Sequence, residues 1–258
     1  MPGTARSCYS AAMAGPARED DGLALAPLQG TGRRAEQVME AVRTAIDAGT
    51  MRPGVKYSVY RLADALAVSR TPVRDALLRL EEVGLIRFEA RQGFRILLPD
   101  PKEIADIFAI RLALELPAVG RAATVCDAIL TAQLRHRMQL LRTAADAGDE
   151  RTFARHDHLL HDDILAAAGN ARARAIIGSL RESTRLLGAT TADRDRSLFD
   201  IDAEHRPVIT AITENRPDAA VAAMRRHLTS TGQLLVAQAI RDQDSPLDTA
   251  TVWARAVT

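Results

Sequence analysis

The stretch VSRTPVRDALLRLEEVGLIRFEARQGFRILL, Val68 to Leu98, leaves this chain the fewest options. Thr71 suits a helix cap, and Pro72 suits the first helical position, where its missing N–H costs nothing. Val73, Ala76, Leu77, Leu80 and Val83 then recur at three- and four-residue spacing, one face of an amphipathic helix. Arg70 and Arg74 fall off that face, and Gly84 ends the helix. Leu85–Phe88 and Phe94–Leu98 are β-prone runs around a turn, Glu89–Gly93. Upstream, Ser58 caps a short helix, Val59–Leu66, and Ala67–Ser69 is a tight turn between the two helices. Two short helices and a two-stranded wing make a winged helix-turn-helix, whose second helix enters the major groove. Arginines there pair with guanine O6 and N7 or clamp a phosphate. Gly93 lets the wing tip approach the DNA backbone. Spacing alone also fits a surface helix with solvated arginines.

The rest of the chain divides around this stretch. Residues 1–32, rich in Ala, Gly, Pro and Ser and without a period, read as a flexible tail. Arg33–Ala48 is a helix, so residues 33–99 form a DNA-binding domain of three helices and a two-stranded wing. Pro99-Asp100-Pro101 ends the wing and opens a new helix, with Asp100 and Glu103 at capping-box spacing. From residue 100 the pattern is helical throughout: Pro101–Thr124, Asp127–Ala147, Glu150–Ala168, Ala171–Leu187, Leu198–Glu214 and Pro217–Arg241. Six helices on short loops imply an all-α antiparallel bundle over 100–241, followed by a frayed tail, 242–258. The fold class is therefore mainly α.

Charge supports the division. Residues 33–99 carry 12 basic and 8 acidic side chains, whereas residues 100–258 carry 20 and 22. A basic small module on a mildly acidic larger one fits a single DNA-facing part. Aromatic residues make up only 3% of the chain, so its core must be built from Ala, Leu, Ile and Val. The two cysteines, Cys8 and Cys126, lie far apart and suit a reducing compartment. No apolar run approaches the ~20 residues that span a bilayer, and no signal pattern opens the chain. A cytoplasmic protein without membrane contact is expected.

All six histidines fall in the second domain. Asp157 and His161, four apart, share a face of one helix. His205 follows Asp200, Asp202 and Glu204 on another helix, and His227 lies on a third beside Val221, Met224 and Leu228. One Asp and three His converging on a bundle centre would hold a divalent transition ion, Zn, Ni or Mn rather than Mg or Ca. D-x-x-x-H is a weak motif, however, and unrelated histidines explain the spacing at least as well. His156 and His158 read as solvated and His136 as surface.

LADALAVSRTPVRDALLRLEEVGLI followed by RQGFRI resembles the DNA-binding half of the GntR family of bacterial transcription regulators. The likeness covers roughly residues 33–99. It implies operator contacts from Ser69, Arg70, Thr71 and Arg74, with Gly93 in the wing. Tyr60-Arg61 departs from the pattern, since many relatives carry a glutamate or an arginine–glutamate pair there. IRLALELPAVGRAA, HDHLLHDDILAAAGN and EHRPVITAI–MRRHL resemble the effector domain of the FadR-type branch, the FCD domain. That resemblance implies a metal on Asp157, His161, His205 and His227, and a small organic acid as effector. The six-helix count leans toward the VanR-like subgroup. Arg111 matches a first-helix arginine that would reach the effector's carboxylate, although four residues before Glu115 it is equally placed for an ion pair within the helix. Arg181 and Arg185 are weaker candidates.

The resulting expectation is a homodimeric repressor on double-stranded operator DNA, answering to a small carboxylate. The alternative is a metal-dependent hydrolase carrying an accessory DNA module, with Glu204 its one nameable base and expected to face away from the centre.

Overall fold

In the computed structural model the described residues are 25–28, 33–52, 54–82, 84–89, 93–98, 100–186 and 195–257. The chain divides into two compact units, Met1–Glu82 with Ile86–Leu97, and Val83–Leu85 with Leu98–Thr258.

The first unit runs α1 (Arg34–Asp47), β1 (Lys56–Tyr57), α2 (Val59–Ala65), α3 (Arg70–Glu82), β2 (Ile86–Glu89) and β3 (Gly93–Ile96). Val38 and Val42 of α1, Leu62 of α2 and Val73, Leu77 and Leu80 of α3 are all fully buried, and α1 and α2 both pack on α3. Helix α3 begins at Arg70, ahead of the expected Thr71 cap. Pro72 therefore sits third, still among the first four N–H groups that lack helical partners.

The wing has three strands rather than two, in the order β1-β3-β2, both pairs antiparallel. Strand β1 is two residues long, too short to show alternation. It is held by Arg52 N–H donating to Tyr57 Oη at 2.6 Å and by Tyr57 against Phe94, ring centroids 5.9 Å apart. Gly93 makes this pairing possible. At φ +102° it occupies backbone space that side chains rarely reach, and a Cβ there would lie 2.1 Å from the Tyr57 carbonyl oxygen. Its first demand is thus internal to the sheet. Within the expected tail, Leu28 N–H donates to Leu66 O at 3.0 Å, so residues 25–28 are tied to the unit. Residues 1–24 and 29–32 of that tail lie outside the described residues.

The second unit is all helix: α4 (Pro101–Thr124), α5 (Ala128–Asp146), α6 (Glu150–Ala167), α7 (Ala171–Leu186), α8 (Leu198–Thr213), α9 (Pro217–Asp242) and α10 (Thr249–Val257). Helices α4 and α9 pack along each other at its centre. Phe108, Leu116, Val119, Leu160, Ile212, Leu228 and Val236 share the core around them.

Residues 242–257 are not a frayed tail: α10 adds a seventh helix, among the described residues, to the six expected over 100–241, which removes the ground for the VanR-like leaning. Asp248 caps α10, accepting from Thr251 N–H at 2.8 Å, and Val252 and Trp253 are buried. Trp253 lies against Phe108 of α4 at a centroid distance of 6.1 Å and over Gly232 of α9, where a Cβ would meet the indole at 2.3 Å. Asp100 caps α4 through Lys102 N–H without a reciprocal Glu103 bond; the capping box found here is Ser197–Asp200 on α8.

Candidate functional site

The centre of the second unit is polar. Asp157 and His161 project from one face of α6, whose start is fixed by Asp149 accepting from Thr152 N–H. His205 comes from α8, anchored by its Ser197–Asp200 box, and His227 from α9. The three imidazoles are buried, His161 and His205 to 1% exposure, and their ligand atoms all lie within 4.8 Å of one another. The His205 and His227 rings stand 4.4 Å apart.

Carboxylates back two of the rings. His161 Nδ1 lies 2.7 Å from Glu115 Oε2, and His227 Nδ1 lies 3.0 Å from Glu204 Oε2. Each carboxylate makes Nδ1 the donor, which leaves Nε2 as a lone-pair atom. His161 Nε2 is buried without a hydrogen bond, and so are both ring nitrogens of His205. His205 Nε2 is 3.0 Å from Asp157 Oδ1, but not aligned as a hydrogen bond. That separation is what two ligands at right angles on one ion show, since metal–ligand distances of 2.0–2.2 Å place them about 3 Å apart. Leaving such groups unsatisfied costs about 1–3 kcal/mol each. The donor chemistry therefore fits a divalent transition ion held by Asp157, His161, His205 and His227.

The electrostatics favour ligand-ready forms. Burial, reinforced by Arg181, pushes His161 down to about 3 against the pull of Glu115. Burial and then His205 push His227 down to about 4, against Glu204. Both imidazoles are neutral at pH 7, the form that binds metal. Burial alone would raise the Asp157 carboxyl, but Arg181 and His205 hold it well below the carboxylate range. For Glu204, burial is outweighed by His227 and Arg196, leaving it at about 2.

The supporting roles of several side chains are not legible in the sequence. Glu115 joins Arg111 to His161: Arg111 Nε donates to Glu115 Oε1 at 2.8 Å, and its guanidinium lies 4.6 Å over the Phe108 ring. Arg111 thus makes the ion pair within α4. Arg181 of α7 donates to Asp157 Oδ2, and its Nε is buried without a partner. Arg185's side chain lies outside the described residues. Glu204 does not face away from the centre; it bridges His227 and Arg196, whose Nη1 is 2.5 Å from Oε2. With that oxygen engaged by both partners and its carboxyl held at about 2, it is too weak a base to serve a hydrolase. His156 is buried beside Arg137 rather than solvated, while His136 is exposed as expected.

On the first unit Ser69, Arg70, Thr71 and Arg74 are exposed at and around the start of α3, and Gly93 opens β3. Residues 90–92, including Arg91, lie outside the described residues.

A winged helix-turn-helix unit followed by a helical unit defines a class, the DNA-binding transcriptional regulators. The model for bacterial regulatory proteins of the gntR family matches residues 34–96, and the FCD domain model matches residues 106–230. An HTH-type transcriptional regulator from the TAR-I ttuE-ttuC' intergenic region of Agrobacterium vitis is 31% identical over 138 residues, 52% of this chain and 81% of its own. A probable D-xylose utilization operon transcriptional repressor of Paenarthrobacter nicotinovorans is 28% identical over 196 residues, covering 76% of this chain and 86% of its own. The structure of Escherichia coli McbR/YncC shares the fold with a TM-score of 0.61 at 22% identity, over 81% of this chain and 99% of that one. The chain belongs to the GntR family and carries an FCD domain; it is a DNA-binding transcriptional regulator. Among the described residues no helix is long and apolar enough to cross a membrane.

Proposed function

We propose that this regulator is a cytoplasmic repressor whose operator affinity is set by a small organic acid bound at a metal centre in its helical unit. The observation that carries the reading is the set of buried, unpaired ring nitrogens of His161 and His205 beside Asp157 and His227. Asp157, His161, His205 and His227 hold the ion, with Zn, Ni and Mn all suited to this donor set. When bound, the ion offers an open coordination position to an anionic oxygen. Glu115 and Glu204 orient two of the imidazoles. Arg181, with its free buried Nε, takes the role the sequence reading gave Arg111, which is engaged with Glu115.

Ser69, Arg70, Thr71 and Arg74 read the operator, with Gly93 shaping the wing beside the DNA. One winged helix contacts too few base pairs for genomic specificity, so two copies act on a two-fold-symmetric site. The effector shifts the dimer only as far as its affinities for the two arrangements differ.

The test starts with elemental analysis of the purified protein. An operator duplex enriched by the full-length chain from a random library is then titrated with organic acids. Wild type is expected to carry stoichiometric metal and to release the duplex on acid addition. His205→Ala and His227→Ala are expected to lose metal and response but keep duplex binding. Protein that takes up no divalent ion under any loading, or variants that respond as wild type does, would overturn the reading.

A further inference from the structure

Tyr60, on the first turn of α2, has no evident structural task. It is 62% exposed. Yet the Arg70 guanidinium carbon lies 4.7 Å above its ring centroid. Arg70 opens α3, is itself exposed, and has no carboxylate partner among the described residues. The ring is thus the group that holds it.

The backbone between the two is stiff. Ser58 caps α2, Leu62 and Leu66 are fully buried, and Ala67 turns the chain at φ +53° with Val68 N–H donating to Ala63 O at 3.1 Å. The backbone positions from which the ring and the guanidinium extend are therefore set by the unit, and they place the two side chains within reach of each other.

A stacked guanidinium uses its flat face and keeps its edge donors free, the edge that pairs with guanine O6 and N7. An unstacked one has many rotamers, and most of them serve a phosphate as well as a base. We infer that Tyr60 is a positioning and specificity-determining residue: its ring holds Arg70 edge-on for one guanine in each operator half-site. The inference rests on the proposed reading that Arg70 contacts the operator.

The experiment uses the full-length protein and the duplex it enriches from a random library. Wild type, Tyr60→Ala, Tyr60→Phe, Arg70→Ala and Tyr60→Ala/Arg70→Ala are compared by anisotropy titration and by repeated selection. Because Tyr60 is exposed, all are expected to melt with wild type. An exposed cation–π contact of about 0.5–1 kcal/mol corresponds to roughly a two- to fivefold weaker complex for Tyr60→Ala. Its selected sequences should also lose their guanine preference at one symmetric position, while Tyr60→Phe keeps both affinity and preference. On the Arg70→Ala background Tyr60→Ala should change nothing further, since the two act as one unit. If Arg70→Ala weakens binding and Tyr60→Ala keeps wild-type affinity and base preference, the inference fails and the recognition-helix reading stands. A loss for Tyr60→Phe, or an undiminished Tyr60→Ala effect without Arg70, would assign Tyr60 its own phosphate contact instead and overturn the positioning role. Wild-type binding by Arg70→Ala would overturn the recognition-helix reading and this inference with it.

Discussion

Acid should unfold the metal-free protein well before its carboxylates titrate. His161 and His227, chiefly through burial, sit at about 3 and about 4 in the fold, whereas an unfolded chain restores both to their ordinary value near 6.5. The unfolded state therefore binds more protons below that value, and stability falls with pH. The loss begins at about 6.5 and runs until each folded imidazole itself titrates. Between pH 7 and 5 each ring forfeits about 2 kcal/mol, roughly 4 for the pair. Glu204 and Asp157, held low, add their own losses only as the pH falls through the ordinary carboxylate range. Trp253 is the only tryptophan, is buried on the same helical unit, and reports its unfolding by fluorescence. Urea titrations of chelator-treated protein at pH 7 and pH 5 should show that drop. The increment that added divalent ion gives should be nearly the same at both pH values through these two ligands. Exposed imidazoles, each only about 3% neutral at pH 5, would lose it. A urea midpoint unchanged between pH 7 and 5 would refute the buried neutral pair.

Four further outcomes are expected. Gly232→Ala should lower helical-unit stability by about 1–2 kcal/mol in the same fluorescence assay, because overpacking against Trp253 and Phe108 exceeds the gain in helix propensity; Gly178→Ala on α7, with open space around it, should be neutral or gain up to about 1 kcal/mol. Gly93→Ala should lose about 2 kcal/mol or more, since backbone at Tyr57 cannot yield as a side chain does, and hydrogen exchange should show β1 released from β3. Glu204→Gln should weaken metal binding about 10–100-fold by calorimetry, with the wild-type fold retained, because His227 loses its ionised partner.

What could be seen in the sequence was local. Helix α3 announced itself through Val73, Ala76, Leu77 and Leu80, which all prove buried. Asp157 and His161 could be paired because four residues on a helix is one turn. His205 and His227 could not be joined to them by spacing, and resemblance made that link. The backing residues were out of reach for the same reason. Glu115 is 46 residues from His161, and Glu204 is 23 from His227. Tertiary packing alone selects those partners. Strand β1 escaped because two residues carry no period. Helix α10 was readable and was missed: Asp248 stands three before Thr251, ahead of the apolar Val252, Trp253 and Val257.

The charge around the donor set bears on what the site can hold. Asp157, Glu115 and Glu204 are ionised, and Arg111, Arg181 and Arg196 stand against them. These three acids and three bases cancel. A divalent ion then brings two positive charges into a buried space with no carboxylate of the set left to meet them, and an uncompensated buried charge is strongly unfavourable. A dicarboxylate would restore the balance through the ion and the free Arg181 Nε and a monocarboxylate would halve the excess, whereas a neutral sugar would do neither. The centre draws its side chains from α4, α6, α7, α8 and α9. On the proposed reading, an anion bound there would act on a site that five helices share, and through it on the helical unit.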